Sequence, residues 1–225
     1  APLMNLLSAQ NLHLWRGDLH VLRGLDFGLA AGQCLQVTGV NGAGKSSLLR
    51  TLAGLLPLES GTVSWRGLDT RKDHYAFHGE LAWLGHGNAL KADLSAHENL
   101  RFSVGLRRAI SPADIDAALA QVGFAHSEPR LARQMSAGQQ RRVALARVLL
   151  LDCALWLLDE PTSNLDSRGQ ELFGQMPGGH LDRGGLAVIA THQALSVPGE
   201  RLRGLELTCA RRVQAPSRRG RRSGC

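Results

Sequence analysis

The apolar residues of this chain occur in short runs that predict two kinds of strand. An apolar-rich run at Cys34–Thr38 predicts a strand, and continuous apolar runs at residues 154–158 and at Leu186–Ala190 are typical of strands buried on both faces, as in a parallel sheet. Earlier runs at residues 6–15 and Leu19–Leu29 favour an antiparallel sheet edge, to which residues 62–65 add a strand. The pattern therefore predicts an α/β fold with an antiparallel β subdomain.

Between the strands predicted at Cys34–Thr38 and at residues 154–158 the pattern becomes helical. Residues 97–106 predict one helix, and Ser111 followed by Pro112 predicts the start of another, with the cap and first-turn residues that helices prefer. Apolar side chains at helical spacing follow, at Ile115, Leu119 and Val122. We expect a helical subdomain at about residues 94–133, within a single domain that spans residues 3–207.

A glycine-rich string after the first buried strand carries definite chemistry. It has the form G-x-x-x-x-G-K-S and consists of Gly39, Val40, Asn41, Gly42, Ala43, Gly44, Lys45, Ser46 and Ser47. The glycines let backbone N–H groups wrap around a phosphate, Lys45 suits the β- and γ-phosphates, and the Ser46 hydroxyl suits Mg²⁺. A strand before the string and a helix after it argue against a chance match. The string predicts a nucleoside triphosphate site.

Two carboxylates end the buried run at residues 154–158. Ligands of open α/β sheets bind at the carboxyl ends of the strands, where Asp159 and Glu160 are expected to lie. Asp159 suits the Mg²⁺ shell, and Glu160 suits a general base that polarises water for attack on the γ-phosphate. An ordinary acidic strand-to-loop junction is the alternative.

A further string links these features to a known family. Residues 135–147 read MSAGQQRRVALAR, in which Ser136 and Gly138 open a helix. The string resembles the signature motif of ATP-binding-cassette (ABC) ATPases, residues 163–166 resemble the family's D-loop, and His192 matches its switch histidine. The resemblance implies a P-loop NTPase core, ATP and Mg²⁺ as ligands, and catalytic roles for Glu160 and His192. It also implies a head-to-tail dimer in which Ser136 and Gly138 of one chain complete the ATP site of a second.

Two positions depart from the family pattern. The family normally has a glutamine after the strand at residues 81–85, whereas this chain has His86 and Gly87 there. His86 either replaces that glutamine or is a surface histidine. In the family, an aromatic residue in the early strands stacks on adenine. Trp15 is the candidate here, although alignment with the family pattern places Arg16 at that position. An ordinary packed strand residue is the alternative for Trp15.

The charge of the chain is concentrated at its end. The net charge is +7, and almost all of it comes from six arginines after Leu207, where no acidic residue occurs. We expect residues 208–225 to be a disordered basic tail, either a solvated end, a contact for an acidic membrane surface, or least favourably a nucleic-acid contact. The nearly neutral body argues against nucleic acid as a partner. The six arginines are Arg211, Arg212, Arg218, Arg219, Arg221 and Arg222.

Other features of the sequence argue against a membrane-spanning protein, a secreted protein and a cysteine-ligated metal site. No stretch reaches the ~18 apolar residues of a membrane span, and the first residues do not resemble a secretory signal. We therefore expect the domain to stay in the cytosol and to reach a membrane through a partner. The four cysteines lack metal-ligand spacing. Cys34 and Cys153 are expected in the core, in a reducing compartment.

Several strings narrow the family resemblance. Residues 84–86, 98–102, 136–147 and 190–193 resemble the heme exporter protein A family, the ATP-binding subunits of bacterial cytochrome c biogenesis systems. This resemblance implies integral membrane permease subunits as partners and a peripheral position at the cytoplasmic face of the inner membrane. The alternatives are a cassette for lipoproteins or another small molecule, and a non-transport cassette that acts on nucleic acid or ribosomes. A P-loop kinase or GTPase would lack the string at residues 135–147.

Overall fold

Two sheets organise the computed structural model, which describes residues 4–124, 130–208 and 211–212. The antiparallel sheet contains β1 (Leu7–Arg16), β2 (Leu19–Leu29), β4 (Ser60–Trp65), β5 (Leu68–Asp69) and β10 (Arg211–Arg212). The parallel sheet contains β3 (Cys34–Thr38), β6 (Leu81–Leu84), β7 (Leu155–Asp159), β8 (Leu186–Ala190) and β9 (Leu202–Glu206). The helices are α1 (Lys45–Leu52), α2 (His74–Gly79), α3 (Ala96–Gly105), α4 (Pro112–Gln121), α5 (Ala137–Leu151) and α6 (Ser167–Asp182), with a 3₁₀ turn at Ala132–Gln134.

The central strands β7 and β8 of the parallel sheet are buried on both faces, as their continuous apolar runs predict. Leu155 and Leu157 of β7 belong to a core that also contains α1 and the antiparallel sheet. Trp156 and Leu158 point the other way, into a core formed with α3, α4, α5 and α6. Alternation along a single strand therefore joins the two layers. The α/β fold class with an antiparallel sheet is confirmed.

The strand order brings three loops together. The parallel sheet runs β6-β7-β8-β3-β9, with Asp159 opposite Ala190 and Ala190 opposite Val37. The carboxyl ends of β7, β8 and β3 are therefore adjacent at one edge of the sheet. The loops that follow these strands carry Glu160, His192 and the glycine-rich string.

Reciprocal capping boxes start three helices. The side chains of Ser95, Ser111 and Ser136 each accept a hydrogen bond from the backbone N–H three residues later, and the side chain at that later position accepts one from the cap backbone. The predicted start at Ser111 and Pro112 is confirmed. The helices α3 and α4 occupy the region predicted to be helical, and residues 125–129 within it lie outside the described residues.

The prediction of a disordered tail is wrong for Arg211 and Arg212. These residues form β10, which pairs antiparallel with β2, with Arg211 opposite His20 and Arg212 opposite Leu19. An edge strand presents unpaired backbone N–H and C=O groups, and this short segment covers the edge of β2 at Leu19 and His20. The other tail arginines, at positions 218, 219, 221 and 222, lie outside the described residues.

Two further sequence expectations concern burial. Cys34 and Cys153 are buried free thiols, and burial raises the pKa of Cys34 to about 12. The positions Cys209 and Cys225 lie outside the described residues. Within 4–124, 130–208 and 211–212, none of the helices combines the length and the apolar character needed to cross a bilayer.

Candidate active site

The glycine-rich string forms a tight loop between β3 and α1. Gly39, Gly42 and Gly44 have φ values of 140°, 83° and 107°, a region that favours glycine. A Cβ at Gly39 would lie 2.5 Å from the Leu207 carbonyl oxygen, and one at Gly44 would lie 2.5 Å from Val21 Cγ1. Both glycines are therefore required by conformation and by space. The loop ends at the N-terminus of α1, where unpaired N–H groups and the helix dipole favour an anion.

Lys45 lies at the centre of this loop and is buried. Its Nζ donates to the Gly39 carbonyl oxygen at 2.7 Å and lies 3.0 Å from His192 Nε2. The imidazole of His192 therefore faces the lysine of the P-loop.

The two predicted carboxylates lie on either side of the end of β7. Asp159 is 2% exposed, and its Oδ1 has no hydrogen-bond partner in the described part of the chain. Glu160 adopts a left-handed conformation with φ 45°, which is unfavourable for a residue with a Cβ. Its Oε1 lies 3.9 Å from His192 Nε2. The chain thus turns sharply after Asp159 and directs both carboxylates toward the P-loop.

Lys45, Asp159 and Glu160 line a groove of about 380 Å³ beside the P-loop. The groove is open to solvent on one side and lies between the antiparallel sheet and the parallel sheet. It combines backbone amides, a lysine, a hydroxyl and two carboxylates, which is the donor set of a magnesium–nucleotide site. Its lining residues are Arg16, Leu19, Val21, Asn41, Gly42, Gly44, Lys45, Ser46, Ser47, His86, Asp159 and Glu160.

Ser136 and Gly138 lie outside this groove. Ser136 is exposed at the start of α5, and its Oγ accepts a hydrogen bond from the Gln139 N–H at 3.1 Å. A Cβ at Gly138 would lie 2.6 Å from the Asn164 carbonyl oxygen, so α5 packs closely against the loop after β7. The structure therefore does not bring the predicted signature residues to the P-loop of their own chain.

Comparisons with known proteins agree with this geometry. Residues 22–163 match the model of the family described as ABC transporter. The chain belongs to the ABC transporter family. This ABC protein therefore binds a nucleotide and couples ATP hydrolysis to transport, as the sequence predicts.

Two relatives carry the same printed name, cytochrome c biogenesis ATP-binding export protein CcmA. The protein of Methylococcus capsulatus is 48% identical over 195 residues, which covers 86% of this chain and 94% of the relative. That of Escherichia coli K12 is 41% identical over 208 residues, covering 92% and 99%. The fold is similar to that of an ABC transporter ATP-binding protein from Pyrococcus furiosus, with a TM-score of 0.77, 22% identity and coverage of 89% and 96%.

The aromatic candidate, Trp15, lies beside the groove without lining it. Its ring stacks on His20 with centroids 4.0 Å apart and an interplanar angle of 8°, so one face is already covered. Its neighbour Arg16 lines the groove instead. Because adjacent strand residues point to opposite sides of a sheet, only one of the two can do so. Adenine stacking by Trp15 stays a prediction.

His86 is exposed and lines the groove at the end of β6. The sequence left open whether this histidine takes the place of the family glutamine, and its position on the groove favours a role near the nucleotide. Arg141 of α5 also belongs to this region, because its guanidinium donates to the backbone carbonyl oxygens of Asp159 and Glu160. An arginine in a strongly helical, arginine-rich run suggests a solvent-facing side chain, so no local signal marked it.

Proposed function

We propose that Glu160 is the general base of ATP hydrolysis and that His192 holds the γ-phosphate and the attacking water. The observation that carries this proposal is the convergence of Lys45, His192 and Glu160, each within 4 Å of the next, at the mouth of the P-loop. Glu160 would accept the proton of a water directed at the γ-phosphate. Lys45 would exchange His192 for phosphate oxygens, since its ammonium can bind several acceptors.

The donor set also fits a magnesium ion. Asp159 Oδ1 is a buried carboxylate oxygen without a partner in the described part of the chain, and burial of such a group is costly unless it is paired. The Ser46 hydroxyl lines the same groove. Oxygen ligands of these types suit Mg²⁺, which would neutralise charge on the β- and γ-phosphates. Ser46 and Asp159 would hold the ion, Asp159 directly or through water.

The complete site would need a second copy of the chain. Ser136 and Gly138 lie away from the P-loop groove, yet they begin a 15-residue helix whose N-terminus is suited to an anion. In a head-to-tail dimer these residues would face the γ-phosphate held by the partner's P-loop. Two ATP molecules would then lie between two chains, and hydrolysis would reopen the interface.

Glu160→Gln tests these roles directly. The variant keeps the shape of the side chain and removes its basicity, so we expect turnover to fall at least about 100-fold while ATP affinity stays within about twofold. We also expect ATP to trap a dimer on size-exclusion chromatography. Glu171→Gln, at an exposed carboxylate on α6, is the matched control. Normal turnover by Glu160→Gln in a steady-state assay would overturn the assignment of the base.

The biological role that fits best is heme export for cytochrome c biogenesis. Relatives that are 41–48% identical over most of the chain are named as export proteins of that process. Their names support the resemblance of residues 84–86, 98–102, 136–147 and 190–193 to the heme exporter protein A family. The chain would act at the cytoplasmic face of the bacterial inner membrane, bound to integral permease subunits, and would drive heme delivery.

Affinity purification from solubilised membranes tests this role. A tagged chain should recover multi-spanning subunits of a heme-export system, and deletion of its gene should abolish covalent heme in c-type cytochromes. The Glu160→Gln variant should recover the same subunits without restoring the cytochromes. Recovery of ribosomes or nucleic acid, or of permeases for another solute with normal cytochromes, would contradict the proposal.

A further inference from the structure

Arg141 is the most deeply buried charged side chain near the groove. It is 0% exposed, and all five of its N–H groups have acceptors. Its Nε donates to the Pro161 carbonyl oxygen at 3.0 Å, and its Nη2 donates to those of Asp159 and Glu160 at 2.8 and 2.7 Å. The guanidinium therefore binds three consecutive carbonyl groups of the segment that carries the proposed base.

The same guanidinium reaches the loop after β6. Its Nη1 donates to the Gly85 carbonyl oxygen at 2.9 Å and to Asn88 Oδ1 at 3.1 Å. This loop also carries His86, which lines the nucleotide groove. A second arginine of α5, Arg147, donates to the carbonyl oxygens of Asn88 and Ala89. The loop after β6 is thus attached to α5 at two points.

Burial of the Arg141 guanidinium removes a positive charge from water, which is unfavourable unless the charge is well hydrogen-bonded. Burial lowers the pKa of Arg141 to about 10, and the nearby carboxylate of Asp159 opposes that shift. The group remains a cation at neutral pH. Its hydrogen-bond acceptors are backbone carbonyls and one amide oxygen, so the five bonds compensate for desolvation and also fix the geometry of the backbone that provides them.

That geometry includes the strained residue of the site. Glu160 has φ 45°, and conformations of this kind persist only where surrounding contacts hold them. Its carbonyl oxygen accepts from Arg141 and from the Ser163 N–H, and its N–H donates to the Ala190 carbonyl oxygen. Without Arg141, the carbonyl groups on either side of Glu160 would lose the donor that they share.

We propose that Arg141 is a positioning residue that fixes the orientation of Glu160 and ties it to the loop of residues 85–88. Because Arg141 lies on α5, which begins at Ser136, one guanidinium connects the signature end of the helix, the end of β7 and the loop that lines the groove. Movement of α5 against the parallel sheet would therefore alter the alignment of the base. This proposal rests on the proposed role of Glu160.

Replacement of Arg141 should separate catalysis from binding. For Arg141→Gln we expect kcat to fall roughly 10- to 100-fold, because small displacements of a catalytic group have effects of that size. KM and the Kd for ATP should stay within about twofold, since the P-loop is untouched. Arg141→Lys should recover part of kcat, since lysine restores the charge and three of the five donors.

Arg107 offers a matched control. Its guanidinium also binds backbone carbonyls, those of His78, Gly79 and Leu81, near the opposite end of the parallel sheet. Arg107→Gln should lower thermal stability and leave kcat within about twofold. An equal loss of kcat in Arg107→Gln and Arg141→Gln would reduce the effect to general destabilisation and overturn the proposal.

A milder variant covers the case in which Arg141→Gln does not fold. Asn88→Ala removes a single acceptor, so we expect a folded protein whose kcat falls about twofold to fivefold with unchanged KM. Normal kcat in folded Arg141→Gln, or in both Arg141→Lys and Asn88→Ala, would overturn the proposal. Glu160→Gln separates the role of Glu160 from that of Arg141. Normal turnover in Glu160→Gln would refute the assignment of the base. Lost turnover in Glu160→Gln together with normal kcat in the Arg141 variants would refute only the positioning role of Arg141.

Discussion

The two ends of the parallel sheet are built from the same strands and differ in what they leave unsatisfied. At the carboxyl end, Asp159 Oδ1 is a buried carboxylate oxygen without a hydrogen-bond partner in the described part of the chain, and Glu160 has a left-handed backbone. At the amino end, His180 stacks on Trp156 with centroids 4.0 Å apart, and its Nε2–H donates to the Leu186 carbonyl oxygen. The orphan atom beside this stack is the neutral indole N–H of Trp156.

This difference indicates that the amino end of the sheet contributes to stability and the carboxyl end to ATP binding and hydrolysis. A neutral indole N–H without a partner costs far less than a carboxylate oxygen without one, so the amino end can serve packing alone. Under the proposed function, a bound magnesium–nucleotide would satisfy the unpaired carboxylate oxygen at the carboxyl end. Substitutions at the carboxyl end should therefore change ATP binding and turnover, whereas those at the amino end should change the free energy of unfolding.

Lys45→Ala should have the largest effect. The change removes a buried cation that donates to Gly39 and is suited to the β- and γ-phosphates, so we expect ATP affinity to fall about 100-fold, equivalent to about 3 kcal/mol. Equilibrium binding of a fluorescent ATP analogue measures this loss. Lys91→Ala, at an exposed lysine over the Phe102 ring, should bind ATP within about twofold of the parent. Equal affinities in the two variants would refute the central role of Lys45.

Acidification should act on the amino end. Burial lowers the pKa of His180 to about 4 from the usual 6.5, so the folded state disfavours the charged form. The unfolded chain then binds the extra proton below pH 6.5, and stability from this group is full above pH 6.5 and is lost progressively as pH falls to about 4. The loss amounts to roughly 3 kcal/mol over that window.

Urea unfolding at several pH values checks this expectation. His180→Phe keeps an aromatic ring against Trp156 and cannot be protonated, so its stability should depend less steeply on pH between 6.5 and 4. His86→Gln, at an exposed histidine of the other end, should retain the parental dependence. The same slope in His180→Phe as in the parent would show that another group controls acid stability.

Much of this organisation is encoded in local patterns. The bounds of the strands Cys34–Thr38 and Leu186–Ala190 agree with the sequence prediction, because apolar-rich runs bounded by glycines and polar residues have few alternatives to a buried strand. The P-loop and the two carboxylates were also apparent, since a phosphate site depends on contiguous backbone and on strand ends. The edge strands β9 and β10 escaped prediction because their polar residues carry no alternation and their pairing is with distant strands.

The missed side chains share one physical reason. Arg141 and Arg147 lie in an arginine-rich helix, and whether such an arginine is solvated or buried depends on the loops that pack against it. Likewise Trp15 and Arg16 are neighbours on β1, and irregular pairing with β2 decides which of them points into the groove. Contacts between distant segments set these outcomes, and local sequence does not encode them.

The smallest expected effect comes from a pair of helix caps. It tests whether a serine that caps a helix also takes part in ATP turnover. Ser95 and Ser136 form equivalent capping boxes, with Glu98 and Gln139 respectively. Replacement of either serine by alanine should lower the free energy of unfolding by about 1 kcal/mol, since each loses a hydrogen bond to a helix N–H. Urea unfolding measures this shared cost.

Turnover should distinguish the two caps although their stabilities agree. Under the proposed two-chain site the Ser136 hydroxyl also meets the nucleotide of a second copy, so Ser136→Ala should reduce ATP turnover, and Ser95→Ala should leave it near the parental value. The expected loss is about 10-fold, the value of one hydrogen bond to a charged group. Equal turnover in both variants would mean that Ser136 is only a helix cap, and the groove of a single chain would then have to be the whole site.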